Sequence, residues 1–559
     1  MKNGSLPAAT SQPSSTVIVG AADFLDNIPR NDTIATAGML GVPWLFNNLA
    51  IVFHSRVNLL TQANIPESGT YHLFVRSHGS QSESFKVDIA GKVAPMFFGD
   101  ASLNFRHAGT FDLPAGPIDV RLTRITGSAA FDVLVLTKDP AFTEERLLPM
   151  QLPREVELLK EYHVQGGTVK FGDVDGDGRM DMLVLGKAFV ASVYDNDGKL
   201  LWDYQPPEEG ADLRCHEAPG NIWDIDQDGF GEVIHWRLFD GQEWLVIAEG
   251  KTGRIKKKTP WPAPPMPHPY YNFRTAIGHL TPGYPNNILT FTDSGGTIAV
   301  HVFDADLNLL WHHTEDCKKD HLGHYVYPVD INGDGLDEVI IGSIVLDSKG
   351  KVLWHLLDEF PDHHDHADSY RFGDIDGDGK MEILAPWSEI GVLALKADTG
   401  KLLWQHPAEH VQQLEFGNFL GGAAAPQVAA NARFYGKRES SEPYLSAQVH
   451  WFDAKGKLVG KWPANPLNGN PDFVKGDWYG NGKDELFWYR FKMNTEGKGH
   501  LFFDQPAYHM FDFAGRGAEE VVTVGRDIVK IYGYRNVTHR KVVRDIEYLR
   551  NKVANHTHY

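Results

Sequence analysis

The sequence predicts an all-β chain, a β-sandwich followed by an eight-bladed β-propeller. One alternation pattern and two recurrences predict it. Apolar and polar residues alternate in short runs through residues 16–150, a carboxylate-rich hairpin recurs from Phe171 onward, and a turn ending in Leu-Leu-Trp falls between its copies. The composition agrees, because 55 Gly, 32 Pro and 11% aromatic residues in 559 suit many short strands joined by tight turns. Composition also excludes. With 53 Lys+Arg against 73 Asp+Glu the formal net charge is −20. No nucleic-acid partner is expected, since such binding rests on cations that neutralise phosphates. Two cysteines rule out a disulfide framework, and Cys215 and Cys317 are read as free thiols. No apolar run reaches ~18 residues, so no membrane span is expected.

Residues 1–15 (MKNGSLPAATSQPSS) are small, polar and Pro-containing, and read as a disordered lead-in without the apolar core of a signal peptide. The chain is expected to be secreted or periplasmic, with its signal already removed. In residues 16–150, period-two alternation marks 70–76, 84–89, 117–125 and 130–136. Turns at 67–69, 90–92 and 113–116 separate them, the spacing of an antiparallel sandwich. The stretches SGTYHLFVRS, FDLPAGPIDVRLTR and FDVLVLT resemble the jelly-roll modules attached to carbohydrate-active enzymes. That resemblance implies a carbohydrate-binding-module-like unit; a structural cap is the other reading.

Residues 151–559 are read as the propeller. FGDVDGDGRMDMLVLG starts at Phe171, IWDIDQDGFGEVIHW at Ile222, YPVDINGDGLDEVIIGS at Tyr327 and RFGDIDGDGKMEILAPW at Arg371. Weaker copies start at Phe416, Val474 and Met510, and a copy stripped of acids at Ile277. The first acidic position, or its counterpart, falls at 173, 224, 279, 330, 374, 418, 477 and 512, in steps of 44–59 residues with a last step of 35. Between them lie DNDGKLLW, DADLNLLW, DSKGKVLW, ADTGKLLW and DAKGKLVGKW. Several short strands per repeat is the arithmetic of a propeller blade. The last repeat is too short for four strands, and 156–164 (VELLKEYHV) is expected to complete it and close the ring. Seven blades is the count if the copy at Ile277 is an insertion.

Four hairpins carry oxygen ligands at alternate positions with Gly at the sharp turn, the ligand logic of a calcium loop. They are Asp173, Asp175, Asp177, Arg179 and Asp181; Asp224, Asp226, Asp228, Phe230 and Glu232; Asp330, Asn332, Asp334, Leu336 and Glu338; and Asp374, Asp376, Asp378, Lys380 and Glu382. The seventh position of each (Arg179, Phe230, Leu336, Lys380) offers its backbone carbonyl. About four structural Ca2+ ions are therefore expected. The set at Asp477, Asn481 and Glu485 is weaker, and the copies at 279, 418 and 512 have lost too many oxygens.

Eight residues before each anchor stand Gln165, His216, Tyr271, Leu322, His366, His410, Gly469 and Asp504, with His321 and His324 flanking the fourth. If each anchor follows the innermost strand, these positions line one mouth of a central channel. Arg274, Tyr325, Tyr370, Arg371, Lys475 and His509 fall in the same stretches. Such a funnel would bind an anionic sugar and exchange protons with it. The run His363, His364, Asp365, His366 also has the composition of a transition-metal site.

The repeated FGDxDGDGxxEI followed by DxxGKLLW, across roughly 165–535, resembles the calcium-binding propellers of the rhamnogalacturonan lyases, polysaccharide lyase family 11, and related propeller lyases and glycosidases. The N-terminal 150 residues depart from that family's usual opening, only four acidic loops are intact, and adhesive FG-GAP propellers share the repeat. The resemblance implies β-elimination on a uronate-containing polysaccharide or oligosaccharide. His366, His324, Tyr370, Arg371, Arg274, His216 and His410 then carry catalysis, and Tyr271, His321, Lys475 and His509 bind substrate. A glycoside hydrolase and a non-catalytic carbohydrate-binding or adhesion propeller are the alternatives.

Overall fold

The computed structural model describes residues 16–557 apart from 25–32, 36–49, 54–57, 80–82, 100–104, 144–151, 207–217, 263–271, 317–322, 357–365, 421–425, 435–445, 463–472, 494–498, 538–541 and a few isolated positions. The chain is all-β and divides into two compact units. One comprises residues 1–152 with 439–448 and 462–469; the other comprises 153–438, 449–461 and 470–559.

The first unit holds a six-stranded and a four-stranded antiparallel sheet. Strand Ser84–Ile89 alternates between half-buried and buried residues along its length. Its Phe85 packs 5.0 Å from Phe53 and edge-on to Phe131 at 6.0 Å, so alternation in the sequence becomes a buried aromatic layer.

The second unit contains eight four-stranded antiparallel sheets among the described residues, an arrangement consistent with propeller blades. In each of the first seven the strands follow in chain order. In the eighth, Val156–Tyr162 pairs with Val529–Tyr534 beside Glu520–Val524 and Ala507–Phe511, so both ends of the unit share one sheet. Burial grades along each sheet. Asp181–Leu185 is wholly buried, whereas Leu200–Tyr204 at the sheet's outer edge is mostly half-exposed. First strands of successive sheets adjoin one another. The eighth meets the first where the Val169 N–H donates to the Tyr508 hydroxyl at 3.1 Å.

The Leu-Leu-Trp motif joins neighbouring sheets. Trp202 Nε1 donates to the Gly250 carbonyl at 2.6 Å, Trp311 to Ser348 at 3.0 Å, Trp354 to Ala397 at 3.0 Å and Trp404 to Ala454 at 3.1 Å. Each ring lies over the turn glycine of the next sheet. A Cβ on Gly350 or Gly400 would come within 2.6 or 2.5 Å of a tryptophan, and both glycines have positive φ. The motif's Gly and Trp are therefore two halves of one inter-sheet contact.

The C-terminal segment forms a wide helical turn over Tyr548–Ala554 that packs against the first strands of the first three sheets. Arg550 makes a buried bidentate pair with Asp337 at 2.6 and 3.1 Å. Asn555 clasps Ile277, accepting from its N–H and donating to its carbonyl, both at 2.8 Å. His556 stacks on His509 with ring centres 3.6 Å apart. Beside this tail lies a cavity of about 460 Å³, lined by Tyr327, Arg371, Glu415, Lys475, His509 and Lys552 among others.

Candidate active site and metal centres

Three histidines from three successive sheets meet at one buried carboxylate. His324 precedes strand Val326–Val329, His366 and Asp368 precede Arg371–Gly373, and His410 opens His410–Gly417. His324 Nε2 and His366 Nε2 lie 3.4 and 3.3 Å from Asp368 Oδ1, and His410 Nε2 lies 3.7 Å from Oδ2. The rings of His324 and His366 are edge to face at 4.8 Å. Asp368 is fully buried, while the histidine side chains are 13, 24 and 15% exposed.

The backbone around them is pinned. The Ser388 N–H donates to the His366 carbonyl at 2.9 Å, and the Ser369 hydroxyl to the Gln412 carbonyl at 3.0 Å. His410 Nδ1 lies 2.5 Å from the Ser388 hydroxyl, which fixes the ring. Gly323 approaches Gly342 so closely that a Cβ would meet its Cα at 2.6 Å, which brings His324 inward.

Electrostatics favour a neutral imidazole beside a carboxylate anion. Burial first, and then the charges of His366 and Arg274, lower the His324 imidazole, although Asp368 opposes them. Burial works to raise Asp368, but hydrogen bonding and charge from His324 and His366 prevail and hold it well below the usual carboxylate range. Arg274 is buried, donates to the Phe273 carbonyl at 3.0 Å and lies 4.7 Å over the Tyr325 ring.

The other sequence-derived candidates divide. Arg371, Lys475 and His509 line the cavity beside the C-terminal tail. Arg371 Nε is 2.5 Å from Glu415, and Lys475 donates to the Phe416 carbonyl at 2.8 Å. Tyr370 is corrected as a base: its hydroxyl donates to the Gly342 carbonyl at 2.5 Å, and burial pushes it far above the ordinary phenol value. It holds a loop in place instead. His216, Tyr271, His321, His363, His364, Asp365, Cys215 and Cys317 lie outside the described residues. Asp368 and Glu415 escaped the sequence reading, although Asp368 stands between the candidates His366 and Tyr370.

Among the described residues four groups could hold a metal ion, each with three donor atoms within 4.8 Å: His324, His366 and Asp368; Asp173, Asp175 and Asp181; Asp224, Asp226 and Glu232; and Asp374, Asp376 and Glu382. The three acidic groups offer only oxygen, which fits a hard cation, whereas the mixed nitrogen and oxygen set also admits a transition ion. In the first acidic loop the buried Asp175 Oδ1 has no hydrogen-bond partner, as an oxygen awaiting a cation would. The ninth position of five of the loops has a second task. In the loops at 173, 224, 279, 330 and 374 its side chain accepts the N–H of the residue after the anchor, as Val174 to Asp181 at 2.8 Å, Ile375 to Glu382 at 2.8 Å and, in a stripped copy, Leu280 to Asn287 at 2.8 Å; in the copy at 418 donor and acceptor both stand one residue later, Leu420 to Gln427 at 2.9 Å.

The loop at 330 departs from the expectation that it matches the other three. Asn332 Nδ2 donates to Glu338 Oε1 at 2.8 Å, so a side-chain amide rather than a carboxylate of the loop faces that oxygen.

No family model matches this chain. The rhamnogalacturonan endolyase YesW of Bacillus subtilis (strain 168) is 25% identical over 310 residues, which are 44% of this chain and 48% of that protein. The exolyase YesX of the same organism is 22% identical over 44% of this chain and 49% of its own length. The chain thus spans about half the length of the curated relatives it matches. Among solved structures, the Bacillus licheniformis rhamnogalacturonan lyase PL11 superposes with a TM-score of 0.54 at 17% identity over 94% of this chain and 93% of that one. The YesW crystal structure gives 0.55 at 17% identity over 96% and 95%. The chain has the rhamnogalacturonan lyase PL11 family fold. Within that fold, the His324–His366–His410–Asp368 centre and the acidic loops are this chain's own candidate sites.

Proposed function

We propose that this protein is a polysaccharide lyase that cleaves a uronate-containing polysaccharide, a rhamnogalacturonan or related rhamnose–uronate glycan, by β-elimination. The observation that carries the reading is the convergence of three imidazoles on Asp368 beside the Arg274 guanidinium. A uronate C5 proton is weakly acidic until its carboxylate charge is neutralised. Arg274, whose charge reaches His324, supplies positive charge. His410, its ring fixed by Ser388, takes the C5 proton. The electron pair forms the C4–C5 double bond as the C4–O4 bond breaks, and water protonates the departing oxygen. An ion held by His324, His366 and Asp368 would add charge opposite the carboxylate.

The finer architecture belongs to the same proposal. The eight sheets form the blades of one propeller, closed by Val156–Tyr162. Residues 16–150 form a sandwich that binds carbohydrate. Calcium occupies the loops at 173 and 374.

A hydrolase reading is less well supported. It requires two carboxylates at the scissile bond, whereas Asp368 is buried among imidazoles and Glu415 is engaged by Arg371. Incubation with rhamnogalacturonan and other uronate glycans tests the proposal. Ultraviolet absorbance of an unsaturated uronate supports it. New reducing ends without that absorbance point to hydrolysis, and binding without either product to a non-catalytic propeller.

A further inference from the structure

The loop from Asp224 to Glu232 has the best-kept acids of the set after the loops at 173 and 374, yet a cation of the chain itself reaches it. Lys256 Nζ lies 2.6 Å from Asp226 Oδ2, 2.8 Å from Glu232 Oε1 and 3.4 Å from Asp228 Oδ2. Asp226 and Glu232 are two of the three residues whose donor atoms gather there. A divalent ion and this ammonium would compete for the same oxygens.

The position of Lys256 in its sheet is telling. The outer strand of each of the first five blade-like sheets skips one residue in its pairing, between the partners of Ile247 and Ala248 here. The skipped residue is Leu201, Leu310, Leu353 and Leu403 in the first, third, fourth and fifth sheets, and Lys256 in the second. At Leu403 the apolar side chain borders the cavity beside Asp376 and Glu382. One substitution at one register position thus exchanges a wall for a charge. The next residue changes with it. Lys257 stands where the other sheets have tryptophan, and its Nζ donates to the Ala305 carbonyl at 2.9 Å, the counterpart of the tryptophan bond. The facing turn then carries Leu307, at φ 63°, where the others carry glycine.

We propose that the loop at 224 is an internally neutralised site, in which Lys256 occupies the place of the divalent cation and the loop takes up no calcium. The fold is thereby fastened at one hairpin independently of calcium supply. Another copy follows the same rule: Arg516 lies 2.8 Å from Glu520 in the loop at 512. The proposal does not depend on the lyase reading.

Calcium binding by the full-length protein, freed of metal and titrated calorimetrically, tests it. Asp226→Asn is expected to bind as many calcium ions per chain as the unaltered protein. Lys256→Leu, which restores the residue of the other sheets, is expected to bind one more, and Lys256→Leu with Asp226→Asn to lose that extra ion. Loss of one ion in Asp226→Asn alone overturns the proposal, as does no gain in Lys256→Leu. Should Lys256→Leu fold only when calcium is supplied, the cation has been replaced as proposed. Should it fail to fold under either condition, Asp226→Asn decides alone.

Discussion

Asp368 shows how a single side chain turns three separated histidines into a site. An isolated imidazole at a sheet edge is a solvated base. Around a buried carboxylate, three are oriented and their proton affinities are tied together. Replacing Asp368 with Asn removes the charge but keeps the shape, so lyase turnover on rhamnogalacturonan is expected to fall by about 10²-fold or more while circular dichroism is unchanged. A second histidine reports on stability. Burial, and then the charge of His312, depress His301 from its ordinary 6.5 to about 4. The unfolded chain therefore binds this proton more readily than the fold. The stability contribution is complete above pH 6.5 and is lost as pH falls toward 4. In His301→Phe the decline in melting temperature between pH 6.5 and 4 is expected to be shallower than in the unaltered protein, by parallel thermal melts.

At the scale of the element, the unit of construction is the hairpin with its neighbour's tryptophan. The turn glycine does two jobs, since it adopts a positive φ and leaves room for an indole. Gly400→Ala introduces a Cβ where 2.5 Å separates it from Trp354, in a backbone conformation that alanine resists. The expected loss is about 2–4 kcal/mol in urea unfolding, and Trp354→Ala combined with Gly400→Ala is expected to lose less than the sum of the two single variants. The acidic loops carry a comparable division of labour. Their ninth residue braces the hairpin in five copies, and the stripped repeat at 279 keeps Asn287, which accepts the same bond without a cation, while Gln427 does so one residue later in the repeat at 418.

For the second unit as a whole, the C-terminal segment ties distant sheets together. Arg550 pairs with Asp337, Asn555 with Ile277, and Asn221 donates to the Ala554 carbonyl at 2.6 Å. The Arg550–Asp337 pair is almost wholly removed from water, so Arg550→Ala would strand a buried carboxylate. A loss of about 3–5 kcal/mol is expected, read as a lowered denaturation midpoint. Arg550→Met combined with Asp337→Leu is expected to recover much of it, because neither charge then remains buried.

The repeated acidic hairpins and Leu-Leu-Trp turns determined the all-β class from sequence alone, because each repeat carries its own turn chemistry and its own strand period. The shared phase of His366 and His410, with His324 flanking the same position one repeat earlier, was legible for the same reason: equal offsets in a repeat put residues at equal heights. Only the tertiary structure decided which groups face each other across sheets. Asp368 as the common partner, Tyr370 as a brace, Lys256 inside an acidic loop and the tail beside Ile277 all depend on side-chain direction between elements hundreds of residues apart in some cases, and no local spacing encodes that direction.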